Sequence, residues 1–317
     1  MRAAIQTVIW FTLSQLVLAV GFGATASGGY WSTPQPLTPA NSTLDDFGIT
    51  FSHDQLTFYV QSNRGGAGSD IYMSSRADLN SPWGPLTPVT EWNTSEHDGA
   101  SWISPDNREA YLFRHQYGAT SANLYRSTRA QPSDPWGVPQ LVPELNTSSA
   151  DFGLRSFGNG TAGVLSSNRP GGDGNFDLWW TTRASPSDPW TTPTHIPNVN
   201  SSAYDAEAAL SDDGFQLIFT SSRSGGVGQF DLYSATRNSL TDPFGSPALI
   251  PGINSTYDDV NAVLSPDGQT LYFRSTRPGG MGGADIWYAA WVPEPNSLLL
   301  LALGVGMARK RRHAGMA

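Results

Sequence analysis

The sequence predicts an all-β protein made of five copies of one unit. Three observations carry that expectation. A large aromatic recurs at Trp31, Trp83, Trp136, Trp190 and Phe244, at spacings of 52, 53, 54 and 54 residues. Ten residues after each stands an Asn (Asn41, Asn93, Asn146, Asn200, Asn254), and five after that an Asp (Asp46, Asp98, Asp151, Asp205, Asp259). The composition is rich in turn formers, with 33 Gly and 23 Pro, and only 14% of residues are charged, the profile of strands joined by tight turns. A repeat of this period stacks supersecondary units that share a core.

One unit shows what is being stacked. After Asp205, the apolar run 206–210 is a first strand, and Ser211-Asp212-Asp213-Gly214 is a tight turn. Gln216-Leu217-Ile218-Phe219-Thr220 is a second strand rich in β-formers. Arg223-Ser224-Gly225-Gly226-Val227-Gly228 is a glycine loop, Asp231-Leu232-Tyr233-Ser234 a third strand, and a fourth lies around Ala248-Leu249-Ile250. Four antiparallel strands per unit make a propeller blade. The turn recurs at Ser104-Pro105-Asp106-Asn107 and Ser265-Pro266-Asp267-Gly268, and an Arg follows the opening Asp by eighteen residues at Arg64, Arg169, Arg223 and Arg277.

Counting predicts how the ring closes. The last unit opens at Asp259 and stops after Tyr288 without a Trp block, whereas the block from Trp31 to Asp46 has no unit before it. An N-terminal strand that completes the last blade leaves no orphan edge. The expected fold is a five-bladed β-propeller over residues 27–291, closed by its N-terminal strand. These repeats resemble the TolB-type, WD40-like propeller repeat, a resemblance that implies a scaffold used for binding and is silent on the ligand.

The ends read differently. Residues 1–26 have a basic start at Arg2, an apolar run over residues 8–22 and a small-x-small site at Ala24-Thr25-Ala26, the pattern of an export signal. Residues 292–317 combine Pro293-Glu294-Pro295, a greasy segment and the basic cluster Arg309-Lys310-Arg311-Arg312. Basic residues favour the cytoplasmic side, which puts the body outside. This order resembles the PEP-CTERM sorting signal of bacterial exported proteins. The resemblance implies transient membrane anchoring, removal of the tail by an exosortase-type protease, a cell-surface or extracellular destination and an association with exopolysaccharide. The apolar segment is short for a span, which leaves a retained anchor as the other reading.

Charge and composition exclude several classes. The formal charge is −9, and with the five basic residues of the two ends set aside it falls to about −14. Such a body repels phosphate backbones, so nucleic acid is not an expected partner. Cysteine is absent, which removes thiolate metal sites and nucleophiles. No Gly-x-Ser-x-Gly elbow or phosphate loop occurs. Gly65-Gly66-Ala67-Gly68-Ser69-Asp70 resembles a calcium-binding nonapeptide, but its copies lie a whole unit apart. A glycine hairpin loop is the simpler reading, and no cofactor or metal is expected. Asn41-Ser42-Thr43 and its copies match glycosylation acceptors, yet their fixed place in the unit suits a capped turn.

Departures from the repeat point to a site, since the scaffold does not require them. Blade 2 reads Arg114-His115-Gln116-Tyr117, with Gln116 where other blades place Arg. Asp98 is therefore expected to lack its partner, beside His97. On first strands, Trp102 and Arg155 replace Thr50, and Glu207 replaces Gly48. The expected ligand site is His97, Asp98, Trp102, Arg114, His115, Tyr117, Arg155 and Glu207 at one channel mouth. Aromatic faces beside charged hydrogen-bonders suit a glycan or a partner protein. Non-catalytic binding is the expected function. The alternative is a glycoside-acting enzyme using mouth carboxylates.

Overall fold

The computed structural model describes residues 28–66, 68–116 and 121–294, and among these it contains strands and no helix. The predicted export signal, Tyr117, Pro295 and the basic cluster at Arg309, Lys310, Arg311 and Arg312 lie outside the described residues. Five antiparallel sheets form a five-bladed propeller with four strands per blade.

Blade 4 matches its sequence reading closely. Its strands are Asp205–Leu210, Gln216–Ser221, Asp231–Thr236 and Ala248–Leu249, running from the channel outwards. The innermost strands of the other blades are Asp46–Phe51, His97–Ile103, Asp151–Phe157 and Asp259–Leu264. Five buried apolar clusters hold the ring, and each joins two neighbouring blades. One cluster sets Tyr59 and Trp92 of blade 1 against Ile103 and Leu112 of blade 2, and another sets Ile286 of blade 5 against Ile49 and Phe58 of blade 1.

The periodic residues are the joints of this ring. Each opening Asp is buried and ion-paired with an Arg, as in Arg223–Asp205 at 2.6 Å and Arg64–Asp46 at 2.7 Å. The same Arg donates to the carbonyl of the inter-blade turn, Val199 for Arg223. Each repeated Asn caps the third strand of the blade before it: Asn200 Oδ1 accepts from Leu178 N–H at 2.8 Å and its amide donates back to Leu178 O at 3.0 Å. These amides are spent on backbone, as a capped turn requires. Four of the repeated aromatics pack beneath an Arg, with Arg76 over Trp83, Arg129 over Trp136, Arg183 over Trp190 and Arg237 over Phe244.

Both ends of the described chain meet in blade 5. Gln35–Pro36 pairs with Trp287 and Tyr288, and Gly29–Trp31 pairs with the run from Trp291 to Pro293. Glu294 N–H donates to Gly28 O at 2.9 Å, and Trp31 packs edge-on against Trp291 with ring centroids 5.2 Å apart. The last strand continues to Pro293, so the first residues of the Pro-Glu-Pro motif belong to the propeller sheet.

Candidate functional site at the channel mouth

Strand direction defines two ends of the channel. The opening Asp residues start the innermost strands, and the glycine loops return the chain to that same end. A cavity of about 620 Å³ opens there and draws residues from all five blades. Its apolar wall is Phe47, Phe113, Phe152 and Phe176. The last three belong to an arc of rings, Phe113–Phe152–Phe176–Tyr204–Phe230, with successive centroids 6.0, 5.2, 5.3 and 5.3 Å apart. Planar polar groups complete the lining: Gln61, Asn168, Asn261, Arg155 and Arg274.

Local backbone geometry turns several of these inwards. The innermost strands of blades 3, 4 and 5 bulge two residues after the opening Asp. Gly153, Glu207 and Asn261 occupy that position with φ of 70°, 55° and 51°. This left-handed region favours glycine, and blade 3 uses one. Glu207 and Asn261 hold it with side chains that line the cavity.

A hydrogen-bond belt fixes them. Glu207 N–H donates to Ser166 Oγ at 2.8 Å. Glu207 Oε2 accepts from Thr220 Oγ1 at 2.9 Å and from Asn261 N–H at 3.1 Å. The Asn261 amide donates to Phe47 O at 3.2 Å, and its Oδ1 accepts from Arg155 Nη2 at 3.0 Å. Arg155 also lines a smaller cavity of about 80 Å³ at the other end, so its side chain is the floor between the two. Burial pushes the Arg155 guanidinium down to about 10, opposed by the carboxylate of Glu207. Glu207 is the only carboxylate among the described residues that line the mouth.

His97 and His115 stack at the rim, 4.6 Å between centroids and 6° between planes. His97 Nδ1 accepts from Ser69 N–H at 3.1 Å, which requires an unprotonated Nδ1. Burial first, then the neighbouring His115, push His97 below the ordinary imidazole range, with Asp98 pulling the other way.

Of the eight residues expected to form the site, the structure places His97, His115, Arg155 and Glu207 in the mouth cavity. Three are elsewhere or otherwise engaged. Asp98 has a partner: Arg114 Nε donates to its Oδ1 at 2.5 Å, and Arg114 Nη2 donates to Trp92 O at 2.8 Å. These are the two contacts that Arg64 makes with Asp46 and Ala40 O. The Arg has moved two positions back in sequence and its length covers the difference. Thr94 fills the other oxygen of Asp98, so the expected open acceptor does not exist. Trp102 lines the opposite, smaller cavity and packs on Tyr111, because its strand runs away from the mouth. Tyr117 lies outside the described residues.

The sequence reading missed Phe47, Phe152, Phe176, Gln61, Asn261 and Arg274. A signal existed for two of them. Fifteen residues after each opening Asp come Gln61, Phe113, Ser166, Thr220 and Arg274, a position whose chemistry changes from blade to blade.

The PEP-CTERM protein-sorting motif matches residues 292–312. The chain carries a PEP-CTERM sorting signal. A search of curated proteins returned no match. Among solved structures, the chain is similar to the α-L-arabinofuranosidase PaAbf62A from Podospora anserina in complex with cellotriose. Identity is 12% over 83% of this chain and 97% of that one, with a TM-score of 0.50. A protein of unknown function from Dyadobacter fermentans is 9% identical over 84% of this chain and 100% of that one, with a TM-score of 0.51. Structural neighbours also include a putative TolB from Agrobacterium tumefaciens, 13% identical over 84% and 99% of the two chains, with a TM-score of 0.47. At such identities the likeness is one of fold.

Proposed function

We propose that this is an exported, PEP-CTERM-sorted propeller that binds an extracellular glycan in its mouth cavity without turning it over. The sorting signal supports export and processing of the tail by an exosortase-type protease, with the propeller delivered to the cell surface or beyond it. Bacterial exopolysaccharide is the ligand class that this setting and this cavity suit together.

The observation that carries the reading is the make-up of the cavity. Four phenyl rings share the lining with planar amides and guanidinium groups, Arg274 lying over the Phe47 ring at 5.5 Å. Sugar rings offer apolar faces to aromatic side chains and a fringe of hydroxyls to planar hydrogen-bonders. The cavity's one described carboxylate, Glu207, is tied to Thr220 and Asn261. Glycoside hydrolysis ordinarily needs two carboxyl groups about 5–10 Å apart, which favours binding over turnover.

Calorimetry and a glycan array with the purified chain test this. Phe152→Ala and Phe176→Ala are expected to weaken binding at least tenfold. Failure of the intact protein to bind any bacterial polysaccharide would overturn the proposal. Release of reducing ends by the intact protein, abolished in Glu207→Gln, would replace it with the glycosidase reading.

A further inference from the structure

We propose that Asp173, Asp177 and His195 form a site for a divalent transition ion of the Zn²⁺ type on the rim of blade 3. The site is separate from the glycan reading and does not depend on it.

Two departures from the five-fold repeat meet there. The glycine loop reads Gly65-Gly66-Ala67-Gly68, Gly225-Gly226-Val227-Gly228 and Gly279-Gly280-Met281-Gly282 in blades 1, 4 and 5, with an apolar residue between the glycines. Blade 3 has Gly171-Gly172-Asp173-Gly174. On the outermost strand, the residues that pair with Tyr72, Tyr125, Tyr233 and Trp287 are Pro88, Leu141, Leu249 and Pro36. In blade 3 the residue paired with Trp179 is His195. The two changes put a carboxylate and an imidazole beside Asp177, and donor atoms of all three residues lie within 4.8 Å of one another.

A second observation points to a missing ligand. In blades 4 and 5 the Asp that opens the third strand has both oxygens held by loop amides. Gly228 N–H reaches Asp231 Oδ1 at 3.2 Å, and Gly282 N–H reaches Asp285 Oδ1 at 3.3 Å. Asp177, 1% exposed, is held by the backbone amides of Gly174, which donates to Oδ2, and Asp173, while its buried Oδ1 has no hydrogen-bond partner. His195 Nε2 is likewise buried and lacks a directed hydrogen bond, although it stands 3.2 Å from Asp173 Oδ2. Proximity without hydrogen-bond direction is what two ligands of one ion show. Buried acceptors are rarely left unsatisfied, and Asp177 Oδ1 is one, sharing its spot with the His195 imidazole and the Asp173 carboxylate.

The donor set selects the ion. Ligands at about 2.0–2.1 Å around a tetrahedral centre stand roughly 3.4 Å apart, close to the Asp173–His195 separation. Imidazole with carboxylate suits zinc and its first-row neighbours, whereas calcium sites are built from oxygen. Three protein ligands leave the fourth position to water. Asp173 is exposed and gives an ion a way in. Asn175 and Phe176, on the same loop, line the mouth cavity, so a bound ion would fix that part of its wall.

The test uses the full chain in detergent, without a histidine tag, stripped with chelator and dialysed against Zn²⁺. Elemental analysis should find one ion per chain, and Zn²⁺ should raise the melting temperature. Asp173→Val and His195→Leu install the residues of blade 4. Each is expected to weaken Zn²⁺ binding at least tenfold while leaving the melting temperature in chelator unchanged. No bound Zn²⁺ in the intact chain, or equal affinity in the double variant, would overturn the site. Equal affinity of the intact chain for Ca²⁺ would overturn the choice of ion.

Discussion

Arg155, on the innermost strand of blade 3, reaches across the channel to Asn261 of blade 5, with Nη2 3.0 Å from Oδ1. The contact bridges two blades that are not neighbours in the ring. It also puts a guanidinium where burial depresses it to about 10. The folded state therefore bears a penalty for the charge at neutral pH, and stability gains from this group only as pH rises above about 10 towards the ordinary guanidinium range. Arg155 is in none of the ion pairs found among the described residues, and its hydrogen bond goes to the neutral Asn261, so a Met there removes a buried charge rather than breaking a pair. Arg155→Met should thus keep or raise the melting temperature at pH 7 while glycan binding falls at least tenfold. A drop of more than several degrees would make Arg155 a structural strut instead.

Glu207 occupies a backbone conformation that blade 3 gives to glycine. The left-handed region costs a side chain roughly 1–2 kcal/mol, and Thr220 and Asn261 remain bonded to each other at 3.0 Å without it. Glu207→Gly should therefore be neutral or stabilising by about 1 kcal/mol in urea denaturation, and binding in the mouth should weaken. A clear loss of stability would show that the carboxylate belt outweighs the backbone strain.

Blades 2 and 3 are riveted at the end away from the mouth by Glu109. Arg183 donates to both of its oxygens, at 2.7 and 3.0 Å, Arg126 approaches at 2.5 Å, and Tyr111 OH donates at 3.1 Å. The Arg183 side chain is 1% exposed. Removing one partner of a buried pair leaves an uncompensated charge, a loss of about 3–5 kcal/mol. Glu109→Ala should lower the denaturation midpoint accordingly, and adding Arg183→Ala should recover part of the loss in a double-mutant cycle.

His97 makes stability depend on pH. Its Nδ1 must stay unprotonated to accept from Ser69, and its folded value lies below the ordinary 6.5. Its contribution is full above pH 6.5 and is lost as pH falls from there through the lowered folded value. Melting temperatures at pH 7.5 and 5.5 should differ, and His97→Asn should narrow the difference. An unchanged gap would assign the pH dependence to another group.

The architecture was legible because it is periodic. A spacing of aromatic, Asn and Asp held over five copies can be read without coordinates, and the block that begins at Trp31 was legible as the missing piece of the last blade, supplied by its Gln35–Pro36 strand. The site was only half legible. His97, His115, Arg155 and Glu207 stood out as breaks in the repeat. Asp98 misled because a long Arg side chain reaches the same carboxylate from two positions away. Trp102 misled because sequence position says that a residue is on an inner strand, not how far along the channel it lies. Phe152 and Phe176 gave no signal, since an aromatic beside a repeat-wide Asp looks like core until the ring geometry turns it to the mouth.

The pairing of Gly29 with Pro293 has a directional consequence. The last strand leaves the mouth at Asp285 and descends past Ala290, which pairs with Thr270 at the far end of the second strand. Glu294 and Gly28 are therefore neighbours on the underside of the ring, and the chain towards either terminus departs from that one spot. Whatever is joined to either end of the described chain is therefore joined at the face opposite the aromatic mouth, and leaves that mouth unobstructed by the junction.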